Sequence, residues 1–239
     1  MRLAILMTNT DESDFAQARP KDGEKFATLI AEVRPTWECV SYSVKDGNFP
    51  SDINAYDGFM ITGSPASVHD KDPWVGRLFH MIREIEEAKI PMFGACFGHQ
   101  AIALALGGQI GKNPEGWVHG LAEVESVAPL PFLEETPAQL GLYASHIEQV
   151  TKMPDGARVV AKGPGCPVGG FLMGQHVLTS QYHPEMTDQF IADLVEETAD
   201  YVGPEVTAAA RASLKKTADR AAISQQIVRF FEWAAQGQK

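Results

Sequence analysis

Through the first hundred residues, short apolar runs alternate with longer stretches whose apolar positions recur at helical spacing. Arg2–Met7 (RLAILM) reads as a buried strand, with Cys39–Val44, Gly58–Thr62 (GFMIT) and Ile90–Ala95 (IPMFGA) as three more. Between them, Gly23–Val33 places Phe26, Leu29, Ile30 and Val33 on one stripe and stops ahead of Pro35, which cannot continue a helix. Trp74–Ala88 is amphipathic, with Leu78, Met81, Ile82 and Ile85 on one face. Phe97–Leu106 is mostly apolar and closes on Gly107 and Gly108. Strands alternating with helices predict an α/β fold with a mostly parallel central sheet and helices on both faces.

The pattern changes from about residue 109. Trp117–Val124, Leu142–Ser145, Ala157–Ala161, Gly170–Met173 and His176–Tyr182 are short strand-like pieces separated by Gly and Pro, and predict a small antiparallel extension of the sheet. After Glu185 the chain reads as helical again: Asp188–Tyr201 and Ser224–Ala235 carry apolar stripes, joined by an Ala-rich segment that starts at Pro204. With no repeat and no linker, residues 1–239 read as one domain, the chemistry-bearing core over about 1–185 and C-terminal helices over about 186–239.

Composition narrows the partners. Twenty Lys and Arg against 31 Asp and Glu leave a formal charge of −11, which repels phosphate backbones and anionic lipid surfaces, so neither nucleic acid nor membrane is expected. No apolar run approaches the roughly 20 residues of a membrane span. Three scattered cysteines form no disulfide framework, and a cytoplasmic setting is expected.

The sharpest local signal is Gly94-Ala95-Cys96-Phe97-Gly98, where a buried strand runs into a helix. This is the G-x-nucleophile-x-G elbow, a tight turn that exposes the central side chain. The helix that follows aims its free N–H groups and positive dipole end at the sulfur, favouring the thiolate. The alternative is a small buried Cys between packing glycines. Cys39 lies in a strand pattern and Cys166 in a Gly/Pro loop (GPGCPVGG), and both read as structural. Cys96 and His99 have the spacing of half a zinc site, but no second pair accompanies them, so no metal is expected.

A thiolate nucleophile calls for a His base held by a third group. Of seven histidines, His183 has the clearest local geometry, in Gln181-Tyr182-His183-Pro184-Glu185. Pro184 keeps His183 extended, and residues two apart in an extended segment face the same side, so the Glu185 carboxylate can reach the imidazole. The alternative is a surface His beside ordinary helix-start residues. The acid follows the His, whereas in α/β-hydrolases it precedes it.

GACFGHQ (Gly94–Gln100) and QYHPE (Gln181–Glu185) resemble the two signature motifs of the class I, triad-type glutamine amidotransferases, with similarity to the glutaminase domain of GMP synthetase and its stand-alone relatives. Ile61-Thr62-Gly63-Ser64-Pro65 resembles the family's oxyanion loop, and Tyr143–Val150 its Ser-His-x-Asp-x-Val segment. The resemblance implies the flavodoxin-like class I glutaminase fold. It implies Cys96, His183 and Glu185 as catalytic residues and the Gly63 and Phe97 N–H groups as oxyanion hole. Gln100, Ser145 and Ile147 are implied as contacts to the substrate's glutamyl head.

The chemistry so implied is attack on a γ-amide, a γ-glutamyl thioester at Cys96 and its hydrolysis, with no cofactor required. The loop departs from the family's usual Gly-Gly-Pro in reading Thr-Gly-Ser-Pro, and Glu148 stands where Asp is usual. No phosphate loop or synthase half is present in the sequence. Three functions follow: a hydrolase of glutamine or a γ-glutamyl compound, an ammonia-supplying subunit for a synthase partner, and a non-catalytic binding relative. His119 reads either as lining the mouth of the cleft or as a strand-surface residue, and His146 resembles a family position near the active site.

Overall fold

The computed structural model describes residues 1–237. The chain runs β1 (Arg2–Met7), α1 (Asp14–Gln17), α2 (Asp22–Ala31), β2 (Glu38–Ser43), β3 (Gly58–Ile61), α3 (Pro73–Glu87), β4 (Met92–Ala95) and α4 (Phe97–Ala105). It continues β5 (Gln109–Lys112), β6 (Val118–Ser126), β7 (Gln139–His146), β8 (Glu148–Lys152), β9 (Ala157–Gly163), β10 (Cys166–Met173) and β11 (Val177–Ser180). Four helices follow: α5 (Asp188–Glu197), α6 (Ala199–Val202), α7 (Pro204–Ser213) and α8 (Arg220–Gln236).

Strand alternation decides the layers. In β1, Ala4 and Leu6 join the core under α3 and α4, while Leu3 and Ile5 join the core under α2 and α8. All four are fully buried, as a parallel strand covered on both faces requires. The sheet order is β2-β1-β3-β4-β11-β10-β9-β6-β7. Its first five strands are parallel, and β10, β9, β6 and β7 extend it with antiparallel pairings. The order reverses at β1, since β2 lies on one side and β3 on the other. Such a switch point opens a crevice at the carboxyl ends of the strands. Asn9, Gly63, Cys96 and His183 lie just beyond the carboxyl ends of β1, β3, β4 and β11, and all four line one cleft.

The α/β architecture with a mostly parallel sheet matches the sequence expectation, and four local expectations need correction. The segment His176–Tyr182, expected in the antiparallel extension, forms β11, which pairs parallel with β4 and completes the parallel part of the sheet. A separate two-stranded antiparallel sheet, β5 with β8, occupies segments that carry no strand pattern of their own. Cys166 is not in a loop: it opens β10, opposite Gly163, and is buried. The helix predicted over Asp188–Tyr201 breaks at Thr198, whose φ and ψ of −93° and 2° leave the helical basin. Thr198 Oγ1 there sits 3.1 Å from His119 Nε2.

The C-terminal helix is part of the sheet's covering. Phe230 and Phe231 of α8 are fully buried against the strands, and a β-carbon on Gly58 would lie 2.6 Å from the Phe231 ring. Among the described residues no helix is long and apolar enough to cross a membrane.

Candidate active site

Backbone packing forces the turn at Cys96. A β-carbon on Gly94 would lie 2.6 Å from the Gly98 carbonyl carbon and 2.6 Å from Ile102 Cδ1. One on Gly98 would collide with the backbone of Ile61 at the end of β3. Both glycines are therefore fixed by close approach of α4 to the sheet. Between them Cys96 takes φ 49° and ψ −106°, a conformation that L side chains avoid, and α4 begins at the next residue. The Cys96 N–H is tied to Ser180 O at 2.9 Å, joining the turn to β11. Cys96 is 5% exposed and lines the cleft, so the sulfur is sheltered without being sealed.

β11 delivers the second motif to the same point. His183 N–H donates to Tyr143 O at 2.8 Å, an isolated antiparallel bridge that ties the end of this segment to β7. His183 Nδ1 lies 2.7 Å from Glu185 Oε1, and both side chains are buried. Burial alone would lower the His183 pKa. The charges of Glu185 and Cys96, with hydrogen bonds to both, outweigh it and hold the imidazole well above its ordinary value. Sulfur, ring and carboxylate thus form a connected row in which the two outer groups favour a charged ring.

Gly63 closes the row from the β3 side. A β-carbon there would lie 2.7 Å from His183 Cε1 and 3.5 Å from Cys96 Cβ, so only glycine lets the loop approach. Thr8 Oγ1 sits 3.0 Å from Gly63 O and 2.9 Å from Thr62 O, fixing the loop against β1. The N–H groups of Gly63 and Phe97 have no acceptor among the described residues. Thr8 was not singled out from the sequence, since a Thr after a strand carries no local signal.

Gln100, Ser145 and Ile147 all line the same cleft. Gln100 Nε2 donates to Glu148 O at 2.8 Å and lies 3.2 Å from Gln181 Oε1. His146 Nδ1 is 3.2 Å from the same Glu148 carbonyl, and Ser67 Oγ donates to the Glu148 carboxylate at 2.8 Å. Glu148 therefore clasps α4, the end of β7 and the Gly63 loop together. The departure from Asp at this position lengthens the side chain that spans to Ser67.

Three other buried histidines are kept neutral. Burial, then His146, lower His99 to about 3. Burial, then His183, lower His119 to about 4. Burial lowers His146 to about 4, against its bond to Glu148 O and with the help of His183. His99 Nδ1 is 2.8 Å from Thr179 Oγ1 and its ring packs on Phe171, which makes it a core residue. Among the described residues no group of three or more His, Cys, Asp or Glu has the arrangement of a metal site. Cys166 lies against Tyr182, and its thiol is pushed up to about 11, chiefly by burial.

The family model "Glutamine amidotransferase class-I" matches residues 29–190. Gamma-glutamyl peptidase 3 of Arabidopsis thaliana is 30% identical over 203 residues, covering 82% of this chain and 81% of that protein. GMP synthase (glutamine-hydrolyzing) of Aeropyrum pernix is 30% identical over 147 residues, covering 61% of this chain but 28% of that protein. A crystal structure of a glutamine amidotransferase from Thermotoga maritima superposes with a TM-score of 0.75 at 18% identity, covering 98% of each chain.

Proposed function

Because the chain belongs to the class-I glutamine amidotransferase family, we propose that it hydrolyses the γ-amide of a γ-glutamyl compound, glutamine included, with Cys96, His183 and Glu185 as its catalytic residues. The observation that carries this reading is His183 itself, a buried ring with Glu185 Oε1 2.7 Å from Nδ1 and a side-chain hydrogen bond to Cys96. The likeness to a gamma-glutamyl peptidase over most of both chains supports the substrate class.

In the proposed reaction the Cys96 thiolate attacks the amide carbon. The C–S bond forms as the carbonyl π pair moves onto oxygen, where the Gly63 and Phe97 N–H groups receive the charge. The intermediate collapses, the C–N bond breaks, and the amine leaves with the proton from His183. Water then attacks the γ-glutamyl thioester while His183 takes its proton. The C–O bond forms, the C–S bond breaks, and glutamate departs with the thiolate and charged imidazole restored. Glu185 keeps the ring oriented throughout. Gln100, Ser145 and Ile147 hold the glutamyl head. No step calls for a cofactor.

Incubation of the purified protein with glutamine and a γ-glutamyl peptide panel tests the proposal. Glutamate release, and a glutamyl-sized adduct on Cys96 when turnover is trapped by acid, are expected. Absence of turnover, with Cys96 unmodified by a glutamine-like electrophile, would overturn it. A second reading, an ammonia-supplying subunit for a synthase, draws on the likeness to a GMP synthase over 28% of that protein's length. Glutaminase activity that appears only with a co-purified partner would favour it.

A further inference from the structure

The cleft has a volume of about 680 Å³, within the range of cavities that hold drug-sized ligands and far more than one glutamine fills. Part of its wall is apolar and comes from α5 and α6. Phe190 and Leu194 stand one turn apart on α5, Val202 ends α6, and all three line the cleft with Thr198 at the break between the two helices. The buried residues of α5, Ile191 and Val195, face the core instead. α5 and α6 thus present partly buried apolar side chains to the cleft as well as to the core.

Aromatic pairs stand at both ends of this strip of wall. At one end the Phe190 and Phe15 ring centroids are 5.8 Å apart at 58°. Their other neighbours are cations: Lys25 Nζ lies 3.6 Å from the Phe190 centroid and Arg19 Cζ 3.8 Å from that of Phe15. Arg19 also pairs with Asp193 at 2.7 Å, which fixes the α1 wall against α5. At the other end Trp117 meets Tyr201 edge-on at 5.6 Å, and Tyr201 is 76% exposed at the cleft rim. A strip bounded by ring pairs suits an aromatic guest, because rings gain offset and edge contacts with rings beyond simple burial.

We infer that this strip is the leaving-group subsite and that the amine released is aromatic: a γ-glutamyl amide of an aromatic amino acid or of an arylalkylamine. The inference rests on the proposed hydrolysis at Cys96. The bonds made and broken are those given above, with the aromatic amine as the departing group.

The test compares kcat/KM for γ-glutamyl-phenylalanine, γ-glutamyl-phenethylamine, γ-glutamyl-alanine and glutamine. All four would form the same acyl-enzyme, so differences in kcat/KM arise while the amine is still attached. At least one aromatic substrate is expected to exceed γ-glutamyl-alanine by about ten-fold or more. The pair of aromatic substrates separates amino-acid from simple amine leaving groups. Phe190→Ala and Leu194→Ala are expected to collapse the aromatic-to-alanine ratio. Tyr201→Ala, at an exposed position, provides a variant that does not disturb the core. Equal kcat/KM across the amides, or ratios unmoved by all three substitutions, overturns the subsite while leaving the hydrolysis intact. No turnover of any γ-glutamyl amide, with no adduct on Cys96, overturns both.

Discussion

Gly98 presses on Ile61 so closely that a β-carbon at Gly98 would lie 2.9 Å from the Ile61 carbonyl carbon. The obstacle is backbone of a central strand, which cannot rotate away as a side chain would. Gly98→Ala is therefore expected to cost about 3 kcal/mol, at the upper end of overpacking, and to lower Tm by about 6–12 °C. Gly76, the fourth residue of α3 with nothing within 4 Å of where a β-carbon would stand, is the contrast. There Gly→Ala should stabilise by about 0.5–1 kcal/mol. Thermal melts of both variants check the pair.

The backbone at Cys96 makes a second, separable prediction. Its φ of 49° is held in place by the surrounding packing, and glycine would adopt it without strain. Cys96→Gly should be more stable than Cys96→Ala by about 1–2 kcal/mol in urea unfolding, while both lose turnover. Equal stabilities would show that the turn is unstrained.

Glu185→Gln leaves a group of similar shape beside His183 and removes its charge. Turnover should fall on the order of 10³–10⁴-fold, as when the orienting carboxylate of a triad is neutralised. Because the Glu185 charge helps to hold the imidazole above its ordinary value, the His183 pKa must drop in the variant. The alkaline limb of the kcat/KM profile, which follows loss of the charged ring, should shift to lower pH. A limb that stays in place would argue that Glu185 does not act on His183 electrostatically.

His99, His119 and His146 predict acid lability. Each is neutral in the fold, with pKa values of about 3, 4 and 4, but protonates near 6.5 once unfolded. Above pH 6.5 neither state binds the protons and stability is at its full value. Between about pH 6.5 and 4 the unfolded chain alone binds them, so stability falls by up to about 4 kcal/mol per pH unit. His183, held well above its ordinary value, opposes this only above about pH 6, where the unfolded ring is losing its charge; below that it is charged in both states. Urea midpoints measured from pH 7.5 to 5 check the slope, and His146→Gln should reduce it by about one third.

Much of this arrangement was readable because its causes are local. The strands flanking Phe26–Ile30 and Leu78–Ile85 announced themselves by continuous apolar runs against helical spacing, and the glycines around Cys96 by motif. The Glu185 carboxylate two residues beyond His183 followed from extended geometry. What escaped has non-local causes. β5 and β8 hold together through pairing of Gln109–Lys112 with Glu148–Lys152, and neither segment alone alternates apolar with polar. Cys166 belongs to a strand because it pairs with Gly163 of β9, although its flanking Gly and Pro read as a turn. Thr8 and Ser67 contribute through partners 54 and 81 residues away, a distance at which no spacing rule operates.

The burial of Phe231 against Gly58 has a practical meaning for how this gene product can be shortened. A fragment ended where the family match ends, at residue 190, would retain every reactive group. It would also uncover Leu3, Ile5, Phe26 and Met60, the greasy underside on which α8 rests. Such a fragment is expected to self-associate through that face, so the seventeen-residue α8 is needed for the sheet to stand alone in water.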